Sequence, residues 1–214
     1  MTTSPPCPKP PPRDSYWSAY LSPPPDMTRY RRGAIVLDVG SGNGAQLTRL
    51  REAGHRAIGV ELDLEAARTC RRIGHTVVIA NAESLPFRSN SCPGILCKVV
   101  IPYTDEQLAI AEIGRVLAPG GVAILYLHGI GYSLRYLLKP DFWKHSVYAA
   151  KTILNTAVYR LWRRRLPGFL GDTLFQSETR LRRCYLSAGL TLESTIPSRR
   201  FVGRPVFIGH VVRK

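Results

Sequence analysis

The sequence predicts an α/β fold built on a doubly wound, mostly parallel seven-stranded sheet, and three observations lead to this fold class. The 214 residues are enough for one α/β domain with a substantial core. Strand and helix patterns alternate with short connections from residue 34 to residue 128, which is typical of βαβ units. The last two strand patterns, 190–196 and 204–212, lie close in the chain and predict an antiparallel hairpin at the sheet edge.

The alternating elements follow in chain order. Strands are predicted at 34–39, 56–61, 76–80, 94–100 and 122–128, with helices at 44–54, 63–74 and 104–117 between them. Gly54 and Gly74 are placed to end the first two helices, because glycine readily adopts the left-handed conformation that follows a helix. Thr104, with Gln107 three residues later, predicts a capping box at the start of the third helix.

Residues 130–172 interrupt this alternation and predict a helical cap inserted after the fifth strand. Within them, residues 141–165 have the apolar spacing of one long helix. A helix at 177–189 then resumes the regular pattern, with Ser177 as its N-cap. Because residues 1–13 are proline-rich, we expect a disordered N-terminus followed by a single domain over 14–214 that contains the cap.

Composition narrows the class of protein. No apolar run reaches the length of a membrane-spanning helix, and the N-terminal residues have no apolar signal region, so a cytoplasmic protein is expected. The cysteines are odd in number and lack C-x-x-C spacing, so we expect neither a disulfide framework nor a metal site. These cysteines are Cys7, Cys70, Cys92, Cys97 and Cys184.

The net charge of +15 is unevenly distributed along the chain. Residues 131–214 contain 16 basic and 4 acidic residues, whereas residues 1–130 are nearly balanced. A basic second part suits an anionic acceptor, peripheral contact with an anionic membrane, or nucleic acid. Of these, nucleic acid is the less favoured partner because its case rests on charge alone.

The loop "GSGNGA" at 40–45 fits two kinds of cofactor site. Gly40, Gly42 and Ala45 satisfy the dinucleotide fingerprint. Gly40, Gly42 and Gly44 also fit a loop that holds S-adenosylmethionine. Asp38, two residues ahead, favours the second interpretation, because its carboxylate would repel a pyrophosphate and attract the ammonium of the methionine part.

Four ordered motifs carry a resemblance to a known family. They are "VLDVGSGNG" at 36–44, "GVELD" at 59–63, "ANAESLPFRSNS" at 80–91 and "RVLAPGGVAILYL" at 115–127. Together they resemble the class I, seven-stranded S-adenosylmethionine-dependent methyltransferases, and most of all their small-molecule-modifying branch. The resemblance covers about residues 34–128.

The resemblance implies a set of cofactor-binding residues. Asp38, Gly40 and Gly42 would hold the methionine end, and Glu61 would accept the ribose hydroxyls. Leu62 would flank the adenine, Asn81 and Ala82 would meet its edge, and Lys98 is a further contact candidate. Asn81 stands where the family usually has Asp, and "CPGI" at 92–95 replaces the usual Phe-Asp entry to the fourth strand.

Candidates for catalysis follow the fourth and fifth strands. His128 is a candidate general base, because the reference pKa of histidine is close to neutrality. Tyr103 is a candidate for orienting the acceptor. The aromatic residues Tyr16, Trp17 and Tyr20 are candidates for a lid over the cofactor.

The function expected from the sequence is methyl transfer from S-adenosylmethionine, by in-line displacement, to a small-molecule or lipid-like acceptor. Proximity and orientation can supply much of the rate in such a reaction, so no conspicuous catalytic motif is required. Two alternatives stay open. One is an RNA methyltransferase, and the other is a non-catalytic regulatory protein that binds S-adenosylmethionine.

Overall fold

A computed structural model describes residues 25–139, 143–162 and 164–214. The proline-rich segment 1–13 and the candidate lid residues Tyr16, Trp17 and Tyr20 lie outside the described residues. None of the helices in the described part has both the length and the apolar character needed to cross a membrane.

The centre of the molecule is a seven-stranded sheet with the order β3-β2-β1-β4-β5-β9-β6. Strands β1 to β5 pair in parallel, and β9 pairs antiparallel with both β5 and β6. A separate two-stranded ribbon, β7 with β8, joins β6 to β9. The strands are β1 Ile35–Val39, β2 Arg56–Glu61, β3 Val77–Ile79, β4 Cys92–Lys98, β5 Leu117–His128, β6 Thr191–Ile196, β7 Arg200–Phe201, β8 Arg204–Pro205 and β9 Phe207–Arg213.

Six α-helices in the described residues connect and cover these strands. They are α1 Ala45–Glu52, α2 Leu64–Arg72, α3 Glu106–Val116, α4 Ile130–Leu138, α5 Trp143–Trp162 and α6 Glu178–Ser187. One face of the sheet packs against α3 and α6 through residues such as Ile110 and Leu181. The other face carries Tyr30, Leu50 and Tyr126. The predicted fold class is therefore confirmed.

The structure corrects two local predictions. The N-cap of α3 is Asp105, whose carboxylate accepts hydrogen bonds from the Gln107 and Leu108 amides, so the capping box predicted at Thr104 is wrong. The Thr104 hydroxyl instead donates to the Ile101 carbonyl at 3.1 Å. The C-terminal hairpin is present as β6 and β9, but only β6 lies at the edge, because β9 inserts between β5 and β6.

The segment between β5 and α6 is helical, as predicted. Helix α5 is fastened to the chain that follows it by Asn155, which is fully buried. The Asn155 side chain donates to the Thr173 carbonyl at 2.9 Å and accepts from the Leu166 amide at 2.9 Å. Arg165 reaches the carbonyl of Thr104 just ahead of α3, which joins this segment to the end of the sheet where β4 finishes.

Candidate active site

The glycine loop, residues 40–45, follows β1 and adopts a backbone conformation that is unfavourable for residues with a side chain. Gly40, Gly42 and Gly44 have φ angles of 76°, 52° and 81°, a region that glycine adopts without steric cost. The Gly40 amide donates to the Val60 carbonyl at 2.7 Å, which ties the loop to β2. A Cβ at Gly40 would overlap Cγ2 of Val100, so this position has no room for a side chain.

Asp38 is a buried acid with an unsatisfied oxygen. Its side chain is almost fully inaccessible, and Oδ2 has no hydrogen-bond partner among the described residues. Burial raises the pKa of Asp38 to about 7, with a further contribution from the nearby Glu61 charge, while Lys98 acts in the opposite direction. A cationic ligand at this carboxylate would supply the missing partner.

Glu61 ends β2 and organises the backbone around it. Its Oε2 accepts from the Gly42 amide at 2.7 Å, and its Oε1 accepts from the Leu62 and Asp63 amides at 2.9 Å each. The carboxylate therefore links the glycine loop to the turn after β2. Leu62, the next residue in the chain, is exposed.

The predicted adenine contacts follow β3. Asn81 is exposed, and its Oδ1 accepts from the Glu83 amide at 3.0 Å. An amide oxygen has two lone pairs, so Oδ1 can still accept from a ligand amino group. Ala82 is buried next to it.

Lys98 lies on β4, on the same sheet face as Asp38. The register pairs Asp38 with Leu96, two residues before Lys98. The Lys98 ammonium lies 6.0 Å from the centroid of the Tyr126 ring. Burial and the Arg49 charge lower the pKa of Lys98, and the Asp38 charge partly opposes them.

These residues fit S-adenosylmethionine better than a dinucleotide. The unsatisfied buried carboxylate of Asp38 suits an ammonium, whereas a pyrophosphate at the same place would meet a negative charge. At Gly42 a Cβ would meet nothing within 4 Å, so the bare backbone of the loop is open to a ligand there. Within the described residues, no group of three or more His, Cys, Asp or Glu side chains is arranged to hold a metal ion.

An aromatic cluster lies at the end of β5, where His128 was predicted to act. The His128 ring stacks on Tyr132 with a centroid distance of 4.0 Å and an interplanar angle of 8°. Phe207 and Tyr103 lie 5.6 and 6.3 Å from it by ring centroids. Burial lowers the pKa of His128 to about 3, so the imidazole is neutral near pH 7 and is a weak general base.

A chain of polar groups joins Tyr103 to α5 and to the segment after it. The Tyr103 and Tyr148 hydroxyls are 3.5 Å apart, and the Tyr148 hydroxyl donates to Thr173 Oγ1 at 3.3 Å. Thr173 donates to Asp172 at 2.8 Å, and the buried Lys151 ammonium donates to both Asp172 oxygens at 2.8 and 2.7 Å. The structure thus brings Tyr103 and His128 together and adds a buried ion pair behind them.

Sequence reasoning did not identify several residues of this region. Val99, just after β4, has a φ of 61°, which is a strained conformation for a β-branched side chain. Gln176 is buried, and its backbone N–H donates to the His128 carbonyl at 2.9 Å. Neither polar atom of the Gln176 side chain has a hydrogen-bond partner among the described residues. The strain at Val99 and the contact between Val100 and Gly40 depend on tertiary structure and have no local sequence signal.

The seven-stranded, Rossmann-like sheet is the fold of class I S-adenosylmethionine-dependent methyltransferases. Residues 37–125 match the family model described as a methyltransferase domain. The resemblance to S-adenosylmethionine-dependent methyltransferases inferred from the motifs is therefore confirmed over this part of the chain.

Two relatives are similar to this chain over part of its length. The uncharacterized protein MJ1252 of Methanocaldococcus jannaschii is 32% identical over 109 residues, which cover 50% of this chain and 41% of that one. The mouse tRNA (carboxymethyluridine(34)-5-O)-methyltransferase ALKBH8 is 32% identical over 99 residues, covering 44% of this chain and 15% of that one. The match therefore spans less than half the length of these relatives.

A solved structure shows the same fold over most of the chain. The Burkholderia thailandensis 1,6-didemethyltoxoflavin-N1-methyltransferase, solved with 1,6-didemethyltoxoflavin and S-adenosylhomocysteine bound, has a TM-score of 0.62 and 19% identity. The similarity covers 94% of this chain and 81% of that one. At this identity, the comparison establishes the fold.

Proposed function

We propose that this protein transfers a methyl group from S-adenosylmethionine to a small-molecule or lipid-like acceptor. The observation that carries the proposal is Asp38, a buried carboxyl whose Oδ2 lacks a hydrogen-bond partner among the described residues, directly ahead of the glycine loop. An unpaired buried carboxylate costs folding free energy, and a cationic ligand would offset that cost. The ammonium of the cofactor's methionine part is such a ligand.

The chain's own residues would hold the cofactor by its two ends. Asp38 and the loop at Gly40 and Gly42 would take the methionine part, and Glu61 would accept the ribose hydroxyls. Leu62 would cover the adenine ring, with Asn81 and Ala82 at its edge. The cofactor supplies a methyl group on a sulfonium, which an acceptor atom takes by in-line displacement.

The acceptor would lie against the aromatic cluster at the end of β5. The His128 ring is buried under Tyr132 and uncharged, so the acceptor would meet this cluster at Tyr103, which is 37% exposed and suits an aromatic group. The Tyr103 hydroxyl, held near the Tyr148 hydroxyl, would orient a polar group of the acceptor. Because His128 is a weak base, this arrangement suits positioning of the acceptor more than proton removal.

The experiment that tests this proposal is incubation of the full chain with labelled S-adenosylmethionine and a cell extract, followed by lipid extraction and mass spectrometry. A labelled, lipid-extractable or small-molecule product supports it. Tyr103→Phe should raise KM for that acceptor while leaving cofactor affinity unchanged. Absence of any labelled product, although the cofactor binds, would favour a regulatory S-adenosylmethionine-binding protein instead.

RNA is the second candidate acceptor. Its support is that a relative is named a tRNA methyltransferase and that residues 131–214 contain 16 basic and 4 acidic residues. RNA binding through basic side chains would weaken steeply with salt, because phosphate contacts release counterions. Label recovered in RNA in the same extract experiment, with that salt dependence, would replace the small-molecule proposal.

A further inference from the structure

The outer face of α5 is an apolar stripe that faces solvent in the described structure. Its members recur at alternating spacings of four and three residues, which keeps them on one side of a helix. They are Trp143, Val147, Ala150, Leu154, Ala157 and Leu161, and the four large ones are 72%, 45%, 54% and 72% exposed. We call these six residues the α5 stripe.

The opposite side of α5 packs against the protein. Ala149, Thr152, Asn155, Thr156 and Tyr159 are buried there, and Asn155 fixes the helix to the following segment. Helix α5 is therefore held with the stripe pointing outward. Any surface that covers the stripe would lie along the helix, whose 20 residues span about 30 Å.

Cations border the stripe on both sides. Lys144 and Arg160 lie roughly 100° to either side of it on the helix, and both are exposed. Arg164, just beyond the end of α5, is exposed as well. Lys151 does not belong to this border, because it is buried and paired with Asp172. The charge next to the stripe therefore selects an anionic occupant.

We propose that the α5 stripe and its flanking cations dock this protein on an anionic phospholipid bilayer, with α5 lying parallel to the membrane surface. Large apolar side chains bordered by Lys and Arg are what an interfacial helix presents to headgroups and upper acyl chains. Trp143, at the start of the stripe, is of the type that favours the interface. This docking goes beyond methyl transfer and does not depend on the identity of the acceptor.

The same observations disfavour two other occupants. In a second copy of the chain packed stripe to stripe, Lys144 and Arg160 would face only other cations, which repel. RNA phosphates would pair with the cations, but RNA would not cover Leu154 and Leu161, since exposed leucines neither pair with phosphate nor stack on bases. A bilayer contacts both, because its acyl chains cover the α5 stripe while its anionic headgroups pair with the flanking cations.

The test is flotation of the full chain with vesicles of phosphatidylcholine, with or without phosphatidylserine and without added cofactor. We expect binding to the vesicles that contain phosphatidylserine, weakened by salt. Leu154→Gln with Leu161→Gln should reduce the partition coefficient about tenfold or more, because two buried apolar side chains are lost. The matched control is Leu186→Gln on α6, whose parent leucine is 77% exposed, and this variant should bind as the parent does.

Several results would overturn the proposal. One is that the full chain, with intact cofactor binding, ignores anionic vesicles. Another is that the double variant binds them as well as the parent does. A doubled solution mass that the same double variant abolishes would assign the stripe to a second copy, and RNA binding lost in that variant would assign it to RNA. Because no methyl transfer is measured, these outcomes are independent of the proposed enzymatic function.

Discussion

At the scale of single residues, Asp38 connects stability with function. A carboxyl group whose pKa lies near 7 is costly to keep charged in the folded protein, and burial is the main cause. The backbone around it gives Oδ2 no donor. Such a conflict between folding and local chemistry is typical of functional sites.

The first prediction is a pH dependence of cofactor affinity. A bound ammonium favours the charged carboxylate of Asp38. Below the Asp38 pKa of about 7 the free protein holds a proton on this group, so cofactor binding must release that proton. Affinity for S-adenosylmethionine should therefore fall by up to about tenfold per pH unit below pH 7. Calorimetry across this range measures it. Asp38→Asn should show weaker, nearly pH-independent binding, and an affinity that rises on acidification would refute the assignment.

The second prediction concerns the stability of the ligand-free protein. The folded-state pKa of Asp38 is raised, so its destabilising effect is absent below the unfolded value of 3.8, grows toward pH 7 and persists above it. Asp38→Asn should therefore raise Tm by a few degrees at pH 8, since ~1 kcal/mol shifts Tm by about 2–4 °C in a domain of this size. The gain should shrink at pH 5. Thermal melts at both values check this, and an equal shift at the two values would contradict it.

The third prediction separates steric overlap from backbone strain in the glycine loop. Gly40 and Gly54 have similar positive φ angles, but a Cβ at Gly54 would meet nothing within 4 Å, whereas one at Gly40 would overlap Val100. Gly40→Ala should cost about 1–3 kcal/mol more in unfolding free energy than Gly54→Ala. It should also weaken cofactor binding, which Gly54→Ala should leave unchanged. Equal effects in denaturant titrations would show that Val100 moves aside.

At the scale of elements, local sequence patterns predicted the strands and helices, whereas they did not predict pairing between residues that are distant in the chain. The alternation over 34–128 predicted β1 to β5 in order, because strand and helix periodicities are local properties. The choice of N-cap between the adjacent Thr104 and Asp105 went wrong, since either side chain can cap a helix. The insertion of β9 between β5 and β6 is a pairing between residues distant in the chain, which local pattern does not specify.

The candidate site likewise contains residues that the sequence pattern indicates and residues that only tertiary structure brings together. Asp38, the glycines and Glu61 are candidates from sequence because they lie at or just after the carboxyl ends of strands that meet at one edge of the sheet. The polar chain from Tyr103 to Asp172 was not recognisable in this way, because Tyr148 and Thr173 join it from α5 and from the segment ahead of α6. Nor does sequence show that His128 is buried and stacked, which is what lowers its pKa.

The fourth prediction tests how α5 is fixed. Asn155→Ala would remove the partners of the Thr173 carbonyl and the Leu166 amide. An unsatisfied buried polar group costs about 1–3 kcal/mol, so unfolding free energy should drop by about 2–4 kcal/mol. Denaturant titration measures this. Cofactor affinity should persist because the glycine loop is elsewhere, and an unchanged stability would show that these hydrogen bonds do not hold the helix.

At the scale of the whole molecule, the two parts of the chain have different physical character. Residues 37–125 form the methyltransferase domain that the family model matches, with nearly balanced charge over residues 1–130. Most of the positive charge lies in residues 131–214, which also contain the α5 stripe and contribute Tyr132 and Phe207 to the aromatic cluster. We assign cofactor binding to the first part and membrane docking to the second, with the acceptor lying between residues of both.

The central claim is that the glycine loop, Asp38 and Glu61 form a site for S-adenosylmethionine, and calorimetric titration of the full chain tests it most directly. We expect one binding site per chain for S-adenosylmethionine or S-adenosylhomocysteine. Binding should weaken in Glu61→Ala, because the variant loses both the expected ribose contact and the hydrogen bond to Gly42. Binding of NAD(H) by the intact protein, with no response to S-adenosylmethionine, would contradict the account.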